Sequence, residues 1–164
     1  MLTIGALMLL SIIMLGVNRN NLNTSSILYD TKFGILATSL GTSIIEEANG
    51  KSFDLATADS ADSILNHLTS PYNLGPATGE VYPNFNDVDD FNGFRDTIKN
   101  LRSAEFRINC KVYYVDPLVS GADKKVNYRT WHKKICVYVT SPTMNDGKDT
   151  VKLSSIYSYW YFIE

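Results

Sequence analysis

The densest run of ligand-type side chains lies in Asn84 to Gly93, NFNDVDDFNG, where Asn86, Asp87, Asp89, Asp90 and Asn92 crowd hard oxygen atoms into a short segment. Calcium takes oxygens of this kind, and a glycine closes the run as a turn would. The spacing departs from an EF-hand loop, because the glycine is displaced and no glutamate stands at the end. The same residues also form Asx turns in a solvated loop that holds no ion. Both readings stay open on the residues alone, and Ca2+ is the one cofactor they suggest. His67 and His132 stand far apart, and the chain has no HExxH, GxSxG, phosphate-binding loop or Cys-x-x-Cys pair. No catalytic set is identified, and the expectation is a protein that is not an enzyme.

The elements that must carry these residues divide the chain in two. Its 164 residues hold 15 Lys+Arg and 17 Asp+Glu, yet the first 18 residues carry no charge and residues 1–50 carry only Arg19, Asp30, Lys32, Glu46 and Glu47. This balance excludes a strongly basic nucleic-acid binder, and no nucleic-acid specificity is expected. Two cysteines exclude a disulfide scaffold. Met1 to Val17 is apolar apart from two glycines, Thr3 and Ser11, short for a bilayer-spanning helix but within its range. A cleaved secretory signal would show a basic start and a small-residue cleavage site, and neither is present.

No proline occurs before Pro71, and Tyr29, Phe33, Leu36, Leu40 and Ile44 keep helical spacing. The pattern predicts one helix from about residue 2 to about residue 50, closed by Asn49 and Gly50 as a left-handed cap. Phe33, Leu36, Leu40 and Ile44 are expected to pack that helix on a sheet. The hydroxyls around Thr24 to Ser26 and Thr38 to Ser43 are expected to bond carbonyls of their own or a neighbouring helix.

Residues 51–164 read as a globular domain. Residues 51–103 form a turn-rich region with short helices predicted near Asp59 to Leu68 and Gly93 to Leu101. Residues 104–164 read as an antiparallel sheet. Strands are predicted over Glu105 to Val115, Trp131 to Thr140 and Lys152 to Ile163, with Phe106, Ile108, Cys110, Val112, Tyr114, Ile135, Val137 and Val139 inward. Alternation puts Cys136 with His132, Lys134, Tyr138 and Thr140 on the outward face, so Cys110 and Cys136 are expected to remain unbridged. The fold class is α+β, a long N-terminal helix packed on a C-terminal antiparallel sheet.

An apolar start running into one long helix, then a variable region and a terminal sheet, resembles type IV pilins and pseudopilins. FRINCKVYYVD, KKICVYVTSP, VKLSSIYSYW and the NDVDDFNGF run are similar to segments of minor-pilin-like proteins. The resemblance implies that Met1 is the first residue left after a prepilin peptidase removes a leader, and that its amine is methylated. It implies a helical filament whose core is built from Met1, Leu2, Ile4, Leu7, Leu10, Ile13, Met14 and Val17 of many copies. The implied partners are further copies of the chain, the membrane before assembly, the prepilin peptidase, and a pilus assembly or secretion machinery. The implied location is the inner membrane before assembly and a cell-surface filament afterwards. Gly5 stands where the family usually has a glutamate, and Leu22 where it commonly has a proline. A minor pilin or secretion pseudopilin is a second expectation. A membrane-anchored ligand-binding domain is a third, from another class.

Overall fold

A computed structural model describes residues 2–58, 63–99, 104–119 and 121–160. Met1 lies outside them, as does the side chain of Leu2. Helix α1 (Leu2–Asn49) runs for 48 residues, which at 1.5 Å per residue is about 72 Å. No proline interrupts its hydrogen-bond ladder. Thr24, Thr38 and Ser43 turn their hydroxyls back to carbonyls four residues earlier at 2.9 to 3.0 Å, as expected, and Thr31 does the same at 2.8 Å.

The helix has two halves with different surroundings. From Ile4 to Val17 the large apolar side chains cover every face and stay 53% to 68% exposed. A helix that is apolar all round belongs in a bilayer or a protein interior. By length and composition this one can cross a membrane. From Phe33 onward burial becomes one-sided: Phe33, Ala37, Gly41, Ile44 and Ala48 face the sheet at steps of three and four.

The centre of that face differs from the expected stripe. Leu36 and Leu40 flank it, half-buried against the core, while Tyr29 stays 59% exposed and stacks on Phe33 at 6.3 Å. The small residues Ala37, Gly41 and Ala48 occupy the line of closest approach. A Cβ added at Gly41 would stand 2.6 Å from Leu153 Cδ1 and 3.4 Å from Val139 Cγ2. The glycine therefore lets the helix backbone settle onto the sheet.

The sheet is antiparallel throughout, in the order β1 (Arg95–Ile98), β2 (Phe106–Asp116), β4 (His132–Thr140), β5 (Thr150–Ser158). A short β3 (Gly121–Lys125) pairs with the end of β2 across a register shift at Val115 and Asp116. Helix α1 lies over β4 and β5. Phe106, Ile108, Cys110 and Val112 of β2 join Ile135, Val137 and Val139 of β4 beneath it. A second apolar cluster, Phe53, Leu68, Tyr114 and Val126, fills the other end under Trp131, Tyr157 and Tyr159.

Several local expectations are corrected. The segment from Gly93 to Leu101 contains a strand, because Arg95 to Ile98 pair with Phe106 to Asn109; cross-strand bonds override a weak helical pattern. Leu101 lies outside the described residues. Of Asp59 to Leu68, residues 59–62 lie outside them as well, and Leu65–His67 form a single 3-10 turn. The last strand spans Thr150–Ser158, and Tyr161 and Phe162 are outside the described residues. Gly50 is not left-handed; its N–H reaches Glu46 O and Glu47 O, and a tight turn delivers the chain to Ser52. Cys136 is fully buried, not on a wet face. Its register partner is Lys111, whereas Cys110 pairs with Val137. The two thiols are therefore on opposite faces, and both are free.

Gly41 and Gly34 make opposite predictions. Gly41→Val is expected to destabilise the domain by about 1–3 kcal/mol through overpacking against Leu153. Gly34→Ala, whose Cβ would meet nothing within 4 Å, is expected to stabilise it by about 0.5–1 kcal/mol. Chemical unfolding of the detergent-solubilised chain measures both.

Candidate functional site

Two arrangements stand out, the bare apolar rod and a buried ionic knot in the domain. The rod carries the candidate assembly residues. Ile4, Leu7, Leu10, Ile13, Met14 and Val17 are all exposed, and the first residues of α1 to enter the main core begin at Phe33. The one hydrogen bond linking the intervening stretch to the domain runs, among the described residues, from Asn145 N–H to Asp30 Oδ1 at 3.4 Å.

The knot is built where α1 ends. After the turn at Gly50, Ser52 pairs with the Asp-rich loop: its N–H donates to Asn86 O at 3.2 Å, and its carbonyl accepts from Val88 N–H at 3.0 Å. Phe53 and Asp54 are thereby brought beneath β4. Lys133 points down from β4 to meet them with its side chain fully buried. Its ammonium has three donors and finds three acceptors: Phe53 O at 2.7 Å, Asp54 Oδ2 at 2.7 Å and Asp89 Oδ1 at 2.5 Å. The nitrogen also stands 4.6 Å from the Phe53 ring centre and 5.4 Å from that of Tyr114, within cation–π range.

Asp54 is held from every side. Oδ1 accepts from Ala56 N–H, Thr69 N–H and Thr69 Oγ1, each at 3.2 Å, and Oδ2 accepts from Thr69 N–H at 2.9 Å. Tyr114 OH donates to Thr69 O at 2.8 Å and lies 3.4 Å from Asp54 Oδ2. Burial and the carboxylate of Asp54 raise the Tyr114 phenol well above its usual range. It stays protonated and acts as a donor.

The Asp-rich loop turns its oxygens inward. Asp87 Oδ1 accepts from Asp89 N–H at 2.8 Å and Asp90 N–H at 3.3 Å. Asp90 Oδ2 accepts from Asn86 N–H at 2.9 Å and Asp87 N–H at 3.1 Å. Asn92 donates to Leu74 O at 2.8 Å and accepts from Val112 N–H at 3.0 Å, tying the loop to β2. Asp87, Asp89 and Asp90 are buried, Asn92 is half-buried and Asn86 is exposed. The five candidate calcium ligands are thus brought into one loop, but their engaged atoms face backbone amides, the sheet and Lys133. Among the described residues no group of three or more His, Cys, Asp or Glu could hold a metal ion.

Burial pushes the Asp87 carboxyl up, helped by the neighbouring charges of Asp89 and Asp90 and opposed by Lys133, to about 8. Near neutral pH Asp87 keeps its proton. Residue type alone singles out neither Lys133 nor Asp54. The signal for Lys133 was its parity, since it alternates with Ile135, Val137 and Val139 on the inner face of β4. His132 is on the other face, its Nδ1 2.7 Å from Ser158 Oγ. His67 ends a 3-10 turn elsewhere, so the two histidines form no joint site.

Removing one partner of a buried ion pair strands the others without solvent, at about 3–5 kcal/mol. Lys133→Met is expected to lose about that much stability in urea unfolding, and a further Asp89→Asn to restore part of it. Asp87 predicts a pH trend. Its pKa is raised in the folded state, so between about pH 4 and pH 8 the folded chain holds a proton that the unfolded chain has lost. Its contribution to stability therefore falls as pH rises through that window, by at most roughly 1.4 kcal/mol per pH unit. Unfolding of Asp87→Asn across that range should show a flatter slope than the parent, and an unchanged slope would refute the assignment. No family model, curated protein or solved structure matches this chain.

Proposed function

We propose that the chain is a structural subunit of a type IV pilus-like helical filament, held in a membrane by the apolar half of α1 before assembly. The observation that carries this reading is the contrast along one helix: Phe33 to Ala48 bury one face against the chain's own sheet, while Ile4 to Val17 are apolar on every face and covered by nothing. Left in water, such a rod is unfavourable by about 25 cal/mol per Å² of apolar surface. A bilayer covers it first, and after extraction the rods of other copies cover it. Repeated head-to-tail contacts of this kind that do not close on themselves generate a fibre.

The glycines support the same reading. A Cβ at Gly5 or Gly16 would meet nothing within 4 Å in this chain, yet each glycine weakens the helix by about 1 kcal/mol relative to alanine. Close approach of a neighbouring helix gives these positions a packing role. The sheet domain then faces solvent, and the chain's part is mechanical, not catalytic. In the resemblance a glutamate stands where this chain has Gly5, which favours a minor pilin or pseudopilin as the second reading. Abundance in sheared surface material distinguishes a principal subunit from a minor one.

Electron microscopy after detergent removal tests the proposal. The expected result is filaments from the parent chain and none from Leu10→Asp, whose domain unfolds at the same denaturant concentration as the parent because Leu10 is outside the core. A parent that stays monomeric and forms no filaments on cells or after detergent removal overturns the reading.

A further inference from the structure

The buried knot has the composition and geometry for a covalent step. We propose that Lys133 and Asp89 condense after folding into an intramolecular amide, with Asp54 as the proton acceptor. Four observations lead there. The nucleophile and both carboxyls are already gathered, with Nζ at 2.5 Å from Asp89 Oδ1 and 2.7 Å from Asp54 Oδ2. All three side chains are at most 3% exposed. The walls are aromatic, Phe53 and Tyr114. The two carboxyls differ in surroundings: Asp54 accepts from two backbone amides and a hydroxyl, whereas Asp89 lies beside Asp87, whose carboxyl retains a proton it can share.

The step balances without an outside reagent. The Lys133 ammonium passes one proton to Asp54, leaving a neutral amine. Its nitrogen lone pair attacks Cγ of Asp89, which has taken up the proton shared with Asp87, and a C–N bond forms. The tetrahedral centre then collapses as the nitrogen gives a second proton to one Asp89 hydroxyl. That C–O bond breaks and water leaves. The site ends with a neutral amide and with one protonated and one ionised carboxyl between Asp54 and Asp87, so the total charge is unchanged and nothing is oxidised or reduced.

Two physical effects favour this outcome here over the same reaction in water. Groups fixed in contact react as if at effective concentrations on the order of 10⁵ to 10⁸ M. In water the separated acid and amine gain from being ionised and hydrated, but in a dry site those charges are unfavourable and a neutral amide removes them. The product would join the Asp-rich loop to β4 by a covalent bond.

Mass spectrometry of the purified, folded full chain decides the matter. Trypsin has no Lys or Arg to cut within Ser52 to Phe94, so Asp54 and Asp89 share one peptide ending at Arg95. The amide is expected to leave that peptide branched to the Thr130 to Lys134 peptide, uncut after Lys133, with the pair one water lighter than its parts. Fragment ions are expected to place the branch at Asp89. Lys133→Arg, which keeps the charge, is expected to give the two peptides separately at full mass. Parent peptides at full mass with cleavage after Lys133 overturn the proposal. A water loss with no branch, as a succinimide at Asp146-Gly147 would give, overturns it too, and a branch at Asp54 overturns the assignment of Asp89.

Discussion

The domain depends on one ammonium group placed where no water reaches it. Lys133 is buried at the inner end of β4, and burying an unpaired charge would cost more than the whole stability of a small domain can bear. Its three donors therefore have to be met, and meeting them fixes the path of two loops. Phe53 O and Asp54 come from the segment that leaves α1, and Asp89 comes from the segment that leads into β1. Neither loop has an extended strand ladder of its own. The lysine, the Ser52 bridge to Asp87 and the amide bonds to Asp87 and Asp90 give both loops a single conformation.

The same logic explains why the core is divided. Ala37 and Ile44 of the helix face that lies on β4 and β5 belong to the cluster at one end, whereas Phe53, Leu68 and Tyr114 pack at the other. Phe53 and Tyr114 belong to the second cluster and also face the Lys133 nitrogen, so the polar centre is enclosed by aromatic surface and not opened to solvent. A well-paired buried charge adds little net stability compared with an apolar replacement, but it penalises every arrangement that leaves a partner behind. The gain is in selecting one loop arrangement.

Much of this was legible in the residues. The long helix followed from an unbroken, proline-free stretch with helical spacing, and β2 and β4 followed from strict alternation. The line of closest helix approach was less legible, because an apolar pattern weighs Leu36 and Leu40 above Ala37 and Gly41, while close packing selects the small residues. The strand at Arg95 to Ile98 was hidden because its four residues acquire their conformation from β2. The Asp-rich loop shows in the sequence as a cluster of oxygens, but the composition that suits a cation also suits a lysine. Lys133 shares the parity of Ile135, but a lysine on an inner face is tolerable only because of the distant Asp54 and Asp89. A contact between residues 79 and 44 positions apart leaves no local trace.

The position of the knot matters mechanically in the proposed filament. A pull on the rod passes along α1 to Asn49, then through the turn at Gly50 to Ser52, Phe53 and Asp54. From there it can reach the sheet by two routes. The first is the apolar face of Phe33, Ala37, Gly41 and Ile44, which resists shear through many weak contacts. The second is Lys133, which ties the residues just beyond the helix to β4 between its neighbours β2 and β5. These routes act on the two sides of the helix end, so the helix cannot peel from the sheet without drawing the loop away from Lys133. Such peeling would strip Lys133 of its buried partners before water could replace them, which raises the barrier to the first opening step. A lysine at this point therefore stiffens the junction where an assembly rod and a solvent-facing domain must move as one body.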